Sequence, residues 1–253
     1  LRHLIMQRWP EIESVFVNTG LEYPEIQQFV KAAQDRGEPV TIIRPKMRFD
    51  EVIKKYGYPV IGKTVSECAR KARKNIENGK LSTQRVKNMV GGVTGKFDFS
   101  KYGPLLYVDF LVSEQCCDAT KKWPAKYYEK KSGKYPIIGM LAEESIKREI
   151  GWIKTGCNAF DAKRPQSNPM AFWTEQDVLL YIKQNNVEIP SVYGAIEYVN
   201  EPEQIRWNEF DPNFNPPGDP LRCTGCQRTG CIFCAFGAHL DRPGDERFLR
   251  LKK

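Results

Sequence analysis

The chain has 253 residues, with 39 basic and 31 acidic side chains and a formal net charge of +8. Its charged fraction of 28% and apolar fraction of 41% are ordinary for a globular protein, and its length suffices to bury a core without a metal. Every apolar stretch is far shorter than the ~20 residues of a membrane span, so no membrane partner is expected. The positive charge favours anionic ligands; because no nucleic-acid-binding motif accompanies it, a nucleotide is the expected partner.

The first third of the chain alternates between helical and strand patterns. Residues 1–8 have the apolar spacing of a helix, and because this pattern opens in mid-helix we expect further residues upstream. A strand is predicted at Ser14–Val17, a helix with proline in its first turn at Pro24–Asp35, and a strand at Val40–Ile43. This alternation is typical of right-handed crossovers and a parallel sheet.

The rest of the chain is predicted to be mainly helical up to residue 198. Helices are expected at residues 49–56, 65–89, 143–152 and 174–184, and strands at residues 105–111 and 134–138. In the last helix Thr174 is the expected N-cap, with Asp177 returning the hydrogen bond of a capping box. Residues 199–220 are rich in Pro, Asn and Gly and read as an irregular connector. We therefore predict an α/β domain at 1–197, followed at 198–253 by the connector and a cysteine-rich lobe.

Two polar segments follow predicted strands, where ligands bind in open parallel sheets. The first contains Asn18, Thr19, Gly20 and Glu22, and its glycine would let a phosphate or a base approach the backbone. An ordinary loop between a strand and a helix has the same composition, so spacing alone leaves both interpretations open. We expect this loop to line one pocket with the second segment.

The second polar segment spans residues 139–148 and is richer in phosphate-binding groups. Ser145 offers a hydroxyl near a helix start, and Lys147 and Arg148 offer cationic donors to phosphate oxygens. Gly139 and Glu144 complete the candidate site. A solvated helix with acids in its first turn is the alternative interpretation.

A third polar segment precedes the capped helix. It combines the guanidinium of Arg164 with the hydroxyl of Ser167, and both are candidate nucleotide contacts.

Four of the eight cysteines lie within twelve residues. They are Cys223, Cys226, Cys231 and Cys234. Gly225 and Gly230 allow the tight turns that point four sulfurs inward, and such a quartet suits zinc or an iron–sulfur cluster. A secreted disulfide framework would come with a secretory signal and a small, loop-rich chain, so a reducing, cytoplasmic location is expected. Cys116 and Cys117 are adjacent, and Cys68 is expected to be a buried structural thiol.

The order of these segments resembles the phosphoadenosine phosphosulfate (PAPS) reductase family, within the adenine-nucleotide α-hydrolase, or PP-loop, group. The resemblance rests on residues 15–25, on Cys116 and Cys117 with Lys121 and Lys122, on residues 139–145 with Arg148, and on residues 167–173 with Asp177 and Val178. Residues 228–234 resemble a cysteine-rich subset of that family.

The resemblance implies a doubly wound parallel sheet that binds ATP, adenosine phosphosulfate (APS) or PAPS. The adenosine would lie beside residues 18–20, and the phosphates beside residues 139–148 and 167–173. It also implies a second ligand set for a [4Fe–4S] cluster, matching that of APS reductases. This set is Cys116 and Cys117 with Cys231 and Cys234. It competes with the local four, and Cys226 is able to replace one member of either set.

The implied activity is ATP- or sulfonucleotide-dependent sulfur transfer beside an iron–sulfur centre, with a protein or nucleic acid as sulfur donor or acceptor. The family's Ser-Gly-Gly-Lys-Asp-Ser loop is expected upstream of Leu1, and Met140 and Leu141 stand where an arginine is common. No Glu-Cys-Gly-Leu-His tail, which carries the attacking thiolate of true reductases, follows Cys234. The alternatives are a sulfite-forming APS or PAPS reductase and a non-catalytic, zinc-stapled module that binds nucleotide or nucleic acid.

Overall fold

A computed structural model of the chain describes residues 1–199, 220–226 and 229–236, and its class is α/β with parallel strands, as predicted. Strands β1 (Ser14–Val17) and β2 (Val40–Ile43) form a pair. The amide of Ser14 donates to the Pro39 carbonyl at 2.8 Å, and the amide of Asn18 donates to the Ile43 carbonyl at 2.8 Å. The same sequence offset at both ends identifies parallel pairing.

Eight α-helices occur in the described residues. They are α1 (Arg2–Met6), α2 (Pro24–Asp35), α3 (Phe49–Tyr56), α4 (Lys63–Glu77), α5 (Gln84–Val90), α6 (Trp123–Ser132), α7 (Ile146–Thr155) and α8 (Glu175–Gln184). Two antiparallel pairs join β3 (Asn158–Ala159) to β4 (Gln166–Ser167) and β5 (Ile196–Tyr198) to β6 (Leu221–Cys223). Short 3₁₀ turns lie at Ser100–Leu106, Ala142–Glu144 and Ser191–Tyr193.

Several predicted elements are confirmed residue by residue. β1, α2, β2 and α3 begin and end where the sequence predicts. The Thr174 hydroxyl accepts from the Asp177 amide at 3.1 Å, and the Asp177 carboxylate accepts from the Thr174 amide at 2.7 Å. The capping box that starts α8 is therefore confirmed.

Other predictions are wrong in detail. The single helix predicted at 65–89 is two helices, α4 and α5, because Gly79 takes a φ of +70° just after α4 ends. The strand predicted at 105–111 is absent from the described chain: a 3₁₀ turn containing Pro104, which has no amide donor, occupies its start. The strand predicted at 134–138 reduces to one parallel bridge between Ile137 and Ser167. The helix predicted from residue 143 begins at Ile146 because Ser145 is its N-cap.

The chain divides into two compact units. The first comprises Leu1–Val15, Tyr23–Thr41 and the described residues of 129–229; the second comprises Phe16–Glu22, Ile42–Tyr128 and the described residues from 230 onward. The main core of the second unit packs α4 and α5 and includes Cys68, which is fully buried as expected. The smaller core of the first unit joins α8 to β6 through Leu179 and Leu221.

Two predictions stay open at this level. The connector predicted at 199–220 lies outside the described residues except at its ends, and the domain boundary at residue 197 stays a prediction. Within the described ranges, no helix combines the length and the apolar content that crossing a membrane requires.

Candidate functional site

The loop at residues 18–22, in the second unit, is held by its own side chains. The Asn18 carboxamide accepts from the Gly20 amide at 2.9 Å. The Thr19 amide and hydroxyl donate to the Glu22 carboxylate at 2.9 and 2.8 Å. Gly20 has a φ of +80°, and a Cβ there would meet nothing within 4 Å. The loop is thus rigid, while the space beside Gly20 that a ligand needs is open.

Glu22 ties this loop to a lysine next to the paired cysteines. Its side chain is 6% exposed, and its carboxylate lies 3.5 Å from the Lys121 Nζ. Burial alone lowers the pKa of the Lys121 ammonium, but the negative charges of Cys231, Glu22 and Cys117 outweigh it and raise that pKa. The positive charge of Lys121 is therefore retained beside both cysteine segments, the one that contains Cys117 and the one that contains Cys231.

Cys116 and Cys117 begin a continuous helical stretch that includes one π-helical turn at Asp118–Lys122 and then α6. Insertions of this kind are frequent at functional sites because they re-aim the side chains around them. Cys116 is buried against Val52 and Ala119, and Cys117 is partly buried beside it.

The pKa values of the two adjacent thiols are shifted in opposite directions. The hydrogen bond from the Cys116 thiol lowers the pKa of Cys117, and the positive charges of Lys63, Lys121 and Lys122 lower it further, against the effect of burial. The same hydrogen bond raises the pKa of Cys116, and burial adds to this. Cys117 is therefore the thiol that most readily ionises to a metal-binding thiolate.

The second cysteine pair is attached to the same loop. The amide of Ile232 donates to the Leu21 carbonyl at 2.8 Å, and the Cys234 amide donates to the Cys231 carbonyl at 2.9 Å. Burial raises the pKa of Cys231, Lys121 lowers it, and the charges of Cys117 and Cys234 raise it. Cys116, Cys117, Cys231 and Cys234 thus interact electrostatically within one unit.

The other two cysteines of the local quartet lie in the first unit. Cys223 is buried with Leu179 and Leu221, and burial raises its pKa, assisted by the charge of Glu175. The Cys226 amide donates to the Val192 carbonyl at 2.8 Å. These contacts hold Cys223 and Cys226 in a turn of the first unit, without the lysine that accompanies the other four.

The segments predicted to meet phosphates come together in the first unit. The Ile138 amide donates to the Ser167 carbonyl at 2.8 Å, and the Ala142 amide donates to the Ala171 carbonyl at 2.8 Å. Residues 138–142 therefore run beside residues 167–171, and the placement of phosphates at these segments stays a prediction. Gly139 lies against Leu1, whose Cβ would be 3.3 Å from a Cβ on the glycine.

The cations of these segments differ in their freedom to bind a ligand. Arg164 forms two hydrogen bonds with the Glu129 carboxylate, which raise its pKa. Arg148 is paired with Glu144. Lys147 is exposed beside the Ser145 N-cap of α7, and the described residues give it no ion pair. Of these three, Lys147 is the one a phosphate can reach without breaking a salt bridge.

A cavity of about 710 Å³ opens next to this segment within the first unit. Its floor is apolar, formed largely by α8, and its described lining contains three carboxylates and no lysine or arginine. These carboxylates are Glu143, Glu144 and Glu175. Such a cavity repels phosphate, so Glu144 lies on a face of the segment that disfavours a nucleotide.

Among the residues that the structure describes, no three Cys, His, Asp or Glu side chains converge as a preformed metal site. In the second unit, the loop at residues 18–22 contacts the segments of two cysteine pairs: Glu22 lies beside Lys121, which follows Cys117, and the Leu21 carbonyl accepts the amide of Ile232, which follows Cys231. The sequence analysis did not include Lys121 among the candidate site residues. Its position one helical turn after Cys117 is the signal that could have identified it.

Comparison with protein families matches residues 1–236 to the phosphoadenosine phosphosulfate reductase domain. Comparison with curated proteins gives no match.

The Glu22 network yields a stability prediction. Glu22→Gln keeps the side-chain shape but removes the charge that Thr19 and Lys121 share, so we expect a loss of about 1–3 kcal/mol in the free energy of unfolding. The measurement is urea denaturation monitored by circular dichroism. Asp50→Asn is the matched control, because Asp50 pairs with Arg48 and both side chains are exposed, at 54% and 83%. There we expect a change of at most about 0.5 kcal/mol; equal losses in both variants would contradict the role given to Glu22.

Proposed function

The chain belongs to the phosphoadenosine phosphosulfate reductase family, and from this premise we propose that it catalyses nucleotide-dependent sulfur transfer with a [4Fe–4S] cluster. Membership supports a nucleotide-utilising enzyme related to sulfonucleotide chemistry. In the proposed reaction an acceptor oxygen attacks the α-phosphate of ATP, giving an acceptor adenylate and pyrophosphate. Hydrosulfide then attacks the acceptor atom that bears the adenylate; a bond to sulfur forms, the bond to the adenylate oxygen breaks, and AMP leaves with that oxygen.

One observation carries the cluster assignment: the loop at residues 18–22 contacts the segments of both cysteine pairs, through the Ile232 amide on the Leu21 carbonyl at 2.8 Å and through Lys121 beside Glu22 at 3.5 Å. Four thiolates are the usual ligands of a [4Fe–4S] cluster. Lys121 supports the assignment because its ammonium offsets the negative charge that deprotonated thiols bring. A bound cluster would be held by these four thiolates, would supply redox or Lewis-acid chemistry, and would anchor the loop at residues 18–22.

The rival ligand set receives less support. It requires Cys223 and Cys226, whose described contacts belong to the packing of the first unit. Zinc at either set is the chemical alternative, since thiolates bind both metals.

Single Cys→Ser variants separate the two ligand sets. We expect protein purified without oxygen to absorb near ~400 nm and to contain about four irons per chain. Cys117→Ser should lose most of this iron, because it removes the most acidic candidate thiol. Cys223→Ser should keep it, and Cys68→Ser is the control for a buried thiol outside both sets.

Iron and sulfide analysis, together with the absorption spectrum, provide the measurement. Iron lost from Cys223→Ser and retained in Cys117→Ser would assign the cluster to the local four. If the anaerobic protein contains stoichiometric zinc and no iron, the cysteines bind a structural zinc ion instead of a cluster. That result would favour the non-catalytic module.

Nucleotide binding is tested on α7, which carries two exposed lysines at opposite ends. Lys147→Met should weaken ATP binding roughly tenfold to hundredfold, because a charge-assisted contact to phosphate contributes about 1.5–3 kcal/mol. Lys154→Met removes the same charge in the last turn and should leave affinity unchanged. Isothermal titration of the full-length protein gives both values, and equal affinities in the two variants would show that Lys147 faces solvent.

The reaction itself distinguishes sulfur transfer from sulfite formation. A reductase needs an attacking thiolate, and outside the two candidate ligand sets only Cys68 and Cys157 remain in this chain. Cys68 is fully buried, whereas Cys157 is partly exposed. Because the proposed reaction proceeds through an adenylate and assigns no attacking role to Cys157, we expect no sulfite from APS or PAPS with reduced thioredoxin, and pyrophosphate from ATP when an acceptor is present.

Both products are measured on the full-length protein with its metal content verified. Sulfite formation that disappears in Cys157→Ser would identify a true reductase with Cys157 as its nucleophile. Sulfite formation that survives in this variant would implicate a member of the cysteine clusters instead.

A further inference from the structure

Aromatic rings and lysines alternate across one surface of the second unit, where α3 meets the start of α6. Tyr56 lies edge-to-face against Trp123, with 5.6 Å between ring centroids. One helical turn further on, Tyr127 has the Nζ of Lys46 at 5.1 Å from its ring centroid. The Nζ of Lys55 lies 5.4 Å from the ring of Tyr56.

The rings of this surface are open to solvent. Trp123 is 43% exposed and Tyr127 is 59% exposed, although both are large enough to favour burial. As residues i and i+4 of α6 they project from the same side of the helix. Two neighbouring aromatic rings are therefore available to planar ligands.

The lysines of this surface are also available. Lys46, Lys55 and Lys126 are exposed, and in the described part of the chain none of them forms an ion pair. The acids nearest in sequence have other partners: Asp50 pairs with Arg48 at 3.1 Å, the Glu51 carboxylate accepts from the Arg48 amide at 2.7 Å, and Glu129 pairs with Arg164. The surface thus carries unneutralised positive charge beside its aromatic rings.

We propose that this basic–aromatic surface binds single-stranded nucleic acid. It consists of Lys46, Lys55, Tyr56, Trp123, Lys126 and Tyr127. Bases stack on exposed aromatic rings whatever their sequence, and phosphates pair with the lysines between the rings. In a duplex the faces of the bases are stacked on one another and cannot reach the rings. An acidic polypeptide would pair with the lysines, but it has no planar bases to stack on the aromatic rings. The net charge of +8 adds long-range attraction for a polyanion.

The surface adjoins the cysteine site. Tyr56 packs against the buried cluster formed by Val52, Cys116 and Ala119. A strand on the surface would therefore pass close to the thiols. The surface would also give the proposed sulfur transfer a place to bind a nucleic-acid acceptor. That part of the inference rests on the proposed function; binding of the strand itself does not.

The test measures fluorescence anisotropy of labelled oligonucleotides with the full chain, without ATP. The probes are oligo-dT and oligo-U of about 16 nucleotides, within the usual range of single-strand sites, and a duplex of equal length. We expect both single strands to bind more tightly than the duplex. Tyr127→Ala should weaken single-strand binding about tenfold, whereas Tyr127→Phe, which keeps the ring, should not. Lys46→Met or Lys126→Met should each reduce the salt slope by about 0.7.

Matched controls come from a second exposed cation–aromatic pair in the same unit. The Nζ of Lys96 lies 5.9 Å from the ring of Phe97, which is 54% exposed. Lys96→Met and Phe97→Ala should leave affinity and salt slope unchanged.

Three results would overturn the inference: equal affinity for duplex, equal losses in the control variants, or equal competition by polyglutamate. Circular dichroism verifies the folding of each variant. If Tyr127→Ala is unfolded, the binding measurements on Lys126→Met and Tyr127→Phe still test the proposal. ATP affinity measured on the same variants keeps the two proposals apart, since loss of oligonucleotide binding with ATP binding intact concerns this surface alone. Strong binding of only one single strand would support the surface and identify DNA or RNA as its ligand.

Discussion

The five residues from Asn18 to Glu22 hold together the candidate site of the second unit. A carboxylate as buried as Glu22 needs hydrogen bonds and a positive partner, and it finds them in Thr19 and Lys121. Lys121 lies one turn after Cys117, while the neighbouring Leu21 carbonyl accepts the amide of Ile232 from the second cysteine pair. One loop therefore fixes both pairs of thiols, and the charge that offsets them comes from the lysine that the loop requires.

The sequence predicts the elements whose signals are local. Pro24 in a first turn, the strand patterns that flank it, and the reciprocal bonds of Thr174 and Asp177 act within a few residues, and each is confirmed in place. The wrong predictions share a cause. Helical apolar spacing continues across residues 65–89, but the turn at Gly79 ends the first helix because its backbone takes a left-handed conformation. Local conformation overrides periodicity there.

Partners that are distant in sequence could not be found from spacing. Cys116 and Cys117 come before α6 and Cys231 and Cys234 lie near the end of the described chain, so only the fold brings them to one loop. Spacing alone instead favours the local four, since all of them lie within twelve residues. The resemblance to a family supplied the alternative set. Lys121 belongs to the segments that carry this resemblance, but it was not predicted as a site residue because its role depends on its buried partner Glu22.

The two Cys-x-x-Cys motifs have the same spacing and different physical settings. In the first, a Cβ on Gly225 would approach the Val192 carbonyl oxygen to 2.4 Å, so the backbone of this turn is closely packed, although Cys223 borders the cavity of the first unit. In the second, a Cβ on Gly230 would meet nothing within 4 Å, and Cys231 and Cys234 are only partly buried beside a cation. A metal needs thiols that ionise and space in which to converge. Burial and the charge of Glu175 both raise the pKa of Cys223, whereas Lys121 acts to lower that of Cys231, so the motif nearer to Lys121 is the better candidate ligand pair.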